Sequence, residues 1–166
     1  MIRHFVSTGF VVYDGAVLLH WHRKVQAWLP PGGHIEPDED PVQATLREVR
    51  EETGIEVRVV PTSRRLEIGN LGQVDAPFAV MVEDIFDQQT GAHQHIDFIY
   101  FTAPVARPGA PPDGWRWVTK ADLEAGTPLP SPNGNHEPPP EDVIKLGLAA
   151  IEVVTSDEVA VQRPSS

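Results

Sequence analysis

The order of periodic segments predicts an α/β fold: a mixed central sheet with helices on both faces. Two observations carry this. An apolar hairpin leads at once into a capped amphipathic helix, and a later series of strands closes on a second long helix. The 166 residues, 40% apolar and 22% charged, suit one domain with a real core. That domain is expected over residues 1–156, with 157–166 as a flexible tail.

Phe5 to His22 reads as two strands around Asp14-Gly15, a strong hairpin signal, with Val11, Val12, Val17, Leu18 and Leu19 as its apolar content. Trp28-Leu29-Pro30-Pro31-Gly32-Gly33 is expected to be a tightly folded loop rather than regular structure. A helix follows from Pro41 to Thr53, with Asp40 as N-cap, Pro41 at the first helical position and Gly54 as stop. Ile55 to Val60 reads as a strand. Pro77–Phe86 and His95–Thr102 read as two more, separated by a Gln89-Thr90-Gly91 turn. After a Pro/Gly loop from Pro104 to Gly114 come a short strand, Trp115–Val118, and a short helix, Lys120–Ala125. A proline-rich loop from Pro128 to Pro140 precedes a final helix, Glu141 to Val153. No internal repeat is present.

Composition excludes several kinds of chemistry. With no cysteine there are no disulfides, thiolate metal sites or cysteine nucleophiles. A formal charge of −11 argues against sequence-independent binding to a nucleic-acid backbone, though not against a small anion held through a metal. No apolar run reaches the ~18 residues that span a bilayer, and Met1-Ile2-Arg3-His4-Phe5 lacks the features of a secretory signal, so cytoplasmic residence is the expectation.

The chemistry concentrates on the first helix. At 100° per residue, with Glu48 as zero, Glu51 falls at about 300° and Glu52 at about 40°, so three carboxylates share one stripe. Val42, Leu46, Val49 and Thr53 fall between about 100° and about 160° and are the expected buried stripe. Glu48 forms like-charge pairs with Glu51 and Glu52 at helical spacing, which is unfavourable without a cation, and no lysine intersperses them. A solvated acidic face is the ordinary alternative for such a group. Hard divalent cations, however, require carboxylate oxygens converging from one side. Arg47 either pairs with Glu51 at the surface or orients a ligand carboxylate.

Spacing makes the case sharper. Gly33, five residues, Glu39, seven residues, Arg47-Glu48-Val49, one residue, Glu51-Glu52, one residue, Gly54-Ile55 resembles the box of the Nudix hydrolases at all nine specified positions. The resemblance is specific over Gly33–Ile55 and looser through Trp28-Leu29-Pro30. It implies a Nudix α/β/α sandwich with a mixed central sheet. The implied reaction is hydrolysis of a diphosphate linkage in a nucleoside diphosphate derivative: a nucleoside triphosphate, ADP-ribose, a dinucleoside polyphosphate or a nucleotide sugar. Mg²⁺ or Mn²⁺ is the implied cofactor, held by Glu48, Glu51 and Glu52 with a backbone carbonyl near Gly32. Glu39 is implied to anchor the loop to the helix, Gly33 belongs to the loop, and Gly54 ends the helix at a tight turn. Glu48, Glu51, Glu52 and Arg47 are the implied catalytic group. The proton acceptor stays open among the box glutamates and Asp97, Asp113, Glu137 and Glu141.

Other residues carry weaker readings. His93, His95 and Asp97 alternate along a strand and share a face, where they either border the pocket or are simply solvated or satisfied by hydrogen bonds. His20 and His22 share a face, and Arg23-Lys24 beyond them either meet phosphate oxygens or are solvated. Arg23, Lys24 and Asp97 are thus the substrate-binding candidates. Trp28, Trp115 and Trp117 stay open among core, loop packing, dimer contact and base stacking. Expected partners are a small nucleotide-like substrate and a second copy in a homodimer, with no nucleic-acid polymer and no membrane. A catalytically silent nucleotide-binding regulator on the same fold is the alternative, disfavoured because every box carboxylate is present. A diphosphate isomerase is set aside because its best-known chemistry uses cysteine.

Overall fold

Asp14 and Gly15 adopt left-handed φ values of 49° and 71°, the primed-turn geometry whose twist matches that of paired strands. The turn joins β1 (Arg3–Tyr13) to β2 (Ala16–His22). The computed structural model describes residues 1–87 and 91–161. After β2 come β3 (Ala27–Leu29), β4 (Gly32–His34), α1 (Pro41–Thr53), β5 (Val57–Val59), β6 (Ala79–Asp87) and β7 (Gly91–Pro104). The chain ends with β8 (Trp115–Thr119), α2 (Lys120–Ala125), β9 (Leu129–Pro130), β10 (His136–Glu137) and α3 (Glu141–Val161).

The main sheet runs β3-β2-β1-β7-β5, with β4 on β1, β6 on β7 and β8 on β2. The β1–β7 pair is parallel and the other pairs are antiparallel, so the sheet is mixed as expected. Alternation along β1 builds two cores. Phe10 and Val12 join Ile99, Phe101 and Val118 beneath α3, which supplies Val143, Ala150, Ile151 and Val154. Val11 turns the other way, toward Leu18, Val57 and Val49 of α1. The helices therefore cover opposite faces. A Cβ at Gly9 would lie 2.8 Å from Thr45 Cγ2 and 2.9 Å from Val49 Cγ2, so α1 rests almost on the β1 backbone.

Four expectations need correction. The segment Trp28–Gly33 is not a plain loop: Trp28 pairs with Trp21, while Gly33 and His34 pair with Ser7 and Val6. Only Pro30 and Pro31 interrupt it, because β1 offers an open edge and the glycines approach it without a Cβ to clash. The buried stripe of α1 is Ala44, Thr45, Val49 and Thr53, with Val42 and Leu46 only half-buried. Ala44 is fully buried and the Thr45 hydroxyl is satisfied by Ser7 and the Pro41 carbonyl, which shifts the packed face toward the carboxylates. The loop 128–140 contains the short β9–β10 pair. The final helix continues past Val153 to Val161, so 157–161 of the expected tail are helical, whereas 162–166 lie outside the described residues. The expected turn at Gln89-Thr90-Gly91 falls largely there too, since 88–90 are not described. None of the described helices is long and apolar enough to cross a membrane.

Candidate active site

The helix bearing the carboxylates is held at both ends. Asp40 accepts hydrogen bonds from the N–H groups of Val42 and Gln43, both at 2.9 Å, while Gln43 Oε1 accepts from Asp40 N–H. This reciprocal cap satisfies groups a helix start otherwise leaves unpaired. Gly54 ends the helix at φ 69° and donates its N–H to the Arg50 carbonyl. A buried Ser7–Thr45 hydroxyl pair and the Ser7 hydroxyl on the Pro41 carbonyl (2.9 Å) fix the first turn against β1.

Glu48 and Glu52 face the glycines of β4. A Cβ on Gly33 would lie 2.6 Å from Glu48 Cδ, so the carboxylate occupies space that any other residue would fill. Glu51 is exposed. Burial pushes the Glu52 carboxyl up to about 7, and the Glu48 and Glu51 charges add to this, against a backbone hydrogen bond from Gly32 that lowers it.

Arg47 ties the group together. It binds Glu39 through two contacts, Nε–Oε1 at 2.6 Å and Nη2–Oε2 at 2.8 Å, the fork geometry a guanidinium offers a carboxylate. Its Nη1 reaches Glu48 Oε1 at 2.7 Å and, more weakly, Glu51 Oε2 at 3.4 Å, and Nη2 donates to the His34 carbonyl at 3.0 Å. The hydrogen bond from Arg47 holds the Glu39 carboxyl below its usual range. The surface pairing with Glu51 is thus the least of its contacts.

Asp97, on β7, lies across β1 from Gly32. Its Oδ2 accepts from the Thr8 hydroxyl at 2.8 Å, and Thr8 is the register partner of Gly32. Burial pushes the Asp97 carboxyl up to about 6, opposed by the Thr8 hydrogen bond and reinforced by Glu83. Thr8 was not legible as a site residue, because only the β1–β4 and β1–β7 registers bring it between Gly32 and Asp97. Of the other candidate acids, Asp113 and Glu137 are exposed, and Glu141 is exposed and paired with Lys145 at 2.5 Å.

Arg23 and Lys24 lie exposed between β2 and β3. Arg23 lines a cleft of about 170 Å³ with His20, Asp113 and Trp115. His20 stacks on Trp115 at 4.3 Å, and burial followed by the neighbouring His22 lowers it to about 4, leaving a neutral ring. Trp28 is core, with the Arg116 guanidinium 5.1 Å from its ring centre. Trp117 packs against Tyr13 and the smaller core.

The helix-borne group fits a hard dication. Among the described residues, three buried side-chain polar atoms lack a hydrogen-bond partner: Trp28 Nε1, Glu52 Oε2 and Asp97 Oδ1. Two of these are carboxylate oxygens, acceptors that would be costly to leave bare and that suit an oxygen-preferring ion. A glycine cradle, adjacent like charges and an arginine that orients one of them complete the donor set.

Comparisons with known proteins bear on the same residues. A family model described as the NUDIX domain matches residues 3–138. Over 40 residues, 24% of this chain, the sequence is 48% identical to a bis(5'-nucleosyl)-tetraphosphatase [asymmetrical] of Mus musculus, covering 27% of that protein. Over 30 residues, 18% of this chain, it is 53% identical to the m7GpppN-mRNA hydrolase NUDT17 of Bos taurus, covering 10% of it. The matched segments thus span about a quarter or less of those relatives. Among solved structures, a hydrolase of the NUDIX family from Clostridium perfringens superposes with a TM-score of 0.69 at 26% identity, covering 93% of this chain and 99% of that one.

Proposed function

The chain belongs to the NUDIX family, and from that premise we propose that it is a metal-dependent hydrolase of a diphosphate linkage in a nucleoside diphosphate derivative. One observation carries the reading. Glu48 and Glu52 converge on the Gly32–Gly33 backbone, and one buried oxygen of Glu52 has no hydrogen-bond partner. Glu48, Glu51, Glu52 and the Gly32 carbonyl would hold Mg²⁺, or Mn²⁺ in its place, since hard oxygen donors select such ions. What the ion supplies when bound is neutralisation of the phosphate oxygens and acidification of the attacking water.

Every other contribution comes from the chain. Arg47 is a positioning residue: it aims Glu48 and, through Glu39 and the His34 carbonyl, holds the loop to the helix. The proton of the attacking water passes to one of the two carboxyls held close to neutral pH, Glu52 at about 7 or Asp97 at about 6. The exposed Arg23 and Lys24 receive the outer phosphates of a long substrate. The chain acts in the cytoplasm, in keeping with its lack of cysteine.

The test is turnover of a panel of nucleoside triphosphates, ADP-ribose, nucleotide sugars and dinucleoside polyphosphates with Mg²⁺ or Mn²⁺, with product identification. Dinucleoside polyphosphates come first because the relatives matched include bis(5'-nucleosyl)-tetraphosphatases. Glu52→Gln is expected to lower kcat by about 10²-fold or more while the circular dichroism spectrum is unchanged. No release from any substrate, or wild-type turnover by Glu52→Gln, refutes the reading. Tight nucleotide binding without turnover would favour the silent regulator.

A further inference from the structure

We propose that His4, His93 and His95 form a second metal site, separate from the box glutamates, that takes a late transition-metal dication of the zinc class. The parallel register sets His4 directly beside His95, and His93 lies two residues before His95 on the same face of β7. One nitrogen from each of the three rings falls within 4.8 Å of the other two. His34, on β4 across β1, borders the group with Nε2 3.3 Å from His4 Nδ1.

One spacing within the group matches that of two ligands on a common ion. Two imidazole nitrogens at about 2.05 Å from a tetrahedral ion stand about 3.3 Å apart. His93 Nε2 and His95 Nε2 are 3.2 Å apart. A hydrogen-bonded chain of imidazoles has similar distances, but a second observation favours the ion. His93 is buried, and its Nδ1 lies 3.0 Å from the Gly91 carbonyl oxygen. That oxygen only accepts, so Nδ1 carries the hydrogen, and Nε2 is the nitrogen that faces His95. Pinning the far nitrogen on a backbone carbonyl is how proteins orient a histidine ligand.

The donors also separate the two sites by chemistry. Imidazole nitrogens favour zinc, nickel, cobalt and copper over magnesium, whereas the glutamates of α1 offer oxygen only. An ion held by the histidines ties β1 to β7 at the end of the sheet where residue 4 begins.

The test uses the whole chain without a polyhistidine tag, titrated with Co²⁺ and followed by its visible d–d bands, then displaced by Zn²⁺ with metal content measured by elemental analysis. One equivalent is expected to give the intense bands of a four-coordinate ion, any further ion on the box glutamates adding only the weak bands of an oxygen-bound one. His93→Asn and His95→Asn should each lose the bands, and so should His4→Ala, whose partly exposed position avoids the folding cost of altering buried His93. Glu52→Gln should keep them, which distinguishes this site from the one proposed for hydrolysis. Bands that survive in all three histidine variants, bands that vanish in Glu52→Gln, or no bound ion in the wild type would overturn the proposal.

Discussion

Gly33 controls the position of Glu48 through space rather than backbone strain, because a Cβ there would overlap the carboxylate. Gly33→Ala is expected to cost about 10²-fold in kcat, the scale of an ångström-level misplacement, with little change in Tm; wild-type kinetics would show that Glu48 can move without consequence. Arg47→Lys keeps the charge but not the fork on Glu39, and kcat should fall by roughly 10–100-fold. Asp97 has a pH signature. Its folded pKa of about 6 exceeds the ordinary 3.8, so the carboxylate lowers stability fully above about 6 and not at all below 3.8. In metal-free protein, Asp97→Asn should therefore raise Tm at pH 8 by the equivalent of at most about 3 kcal/mol. The gain should vanish near pH 4, and turnover should fall. Equal Tm values for both proteins across that range would show that Asp97 carries no burial penalty.

At the scale of elements, α1 depends on its cap and on its seat. Asp40 and Gln43 cap each other reciprocally, and Asp40→Ala should cost about 1 kcal/mol, roughly 2–4 °C in Tm for a chain of this size. Gly9→Ala should cost more, about 1–3 kcal/mol, by overpacking Thr45 and Val49. It should also lower kcat by tilting the helix that bears the glutamates. Thermal melts and kinetics on the two variants separate loss of the cap from displacement of the helix; a Gly9→Ala protein with normal Tm and kcat would show that the seat tolerates a methyl group. The Asp14-Gly15 turn, the N-cap, the first-turn proline and the Gly54 stop were all legible in the sequence, because each depends on a few adjacent residues. The buried face of α1 was displaced from its expected centre, since Ala44 is fully buried there and the Thr45 hydroxyl is satisfied by Ser7 and the Pro41 carbonyl.

For the whole molecule, the two helices divide the labour: α3 covers the larger core, and α1 presents its glutamates beside β4. On β6, Val80, Met81, Val82 and Phe86 are exposed, with Phe78 just before it. If that surface joins two copies, light scattering should give twice 18.3 kDa, and Val80→Lys with Val82→Lys should restore the monomer. A monomeric wild type would count against the homodimer.

Local chemistry in the sequence was enough to define the hairpin, the capped helix, and three carboxylates and an arginine at fixed helical offsets. Those features repeat over three or four residues, a range within which backbone geometry leaves little freedom. Tertiary structure decided the rest. It paired Gly32–Gly33 with β1, placed Thr8 between Gly32 and Asp97, and set His4 beside His95. These partners lie tens of residues apart in the chain, and strand register, which no local pattern encodes, is what brings their side chains to the same place.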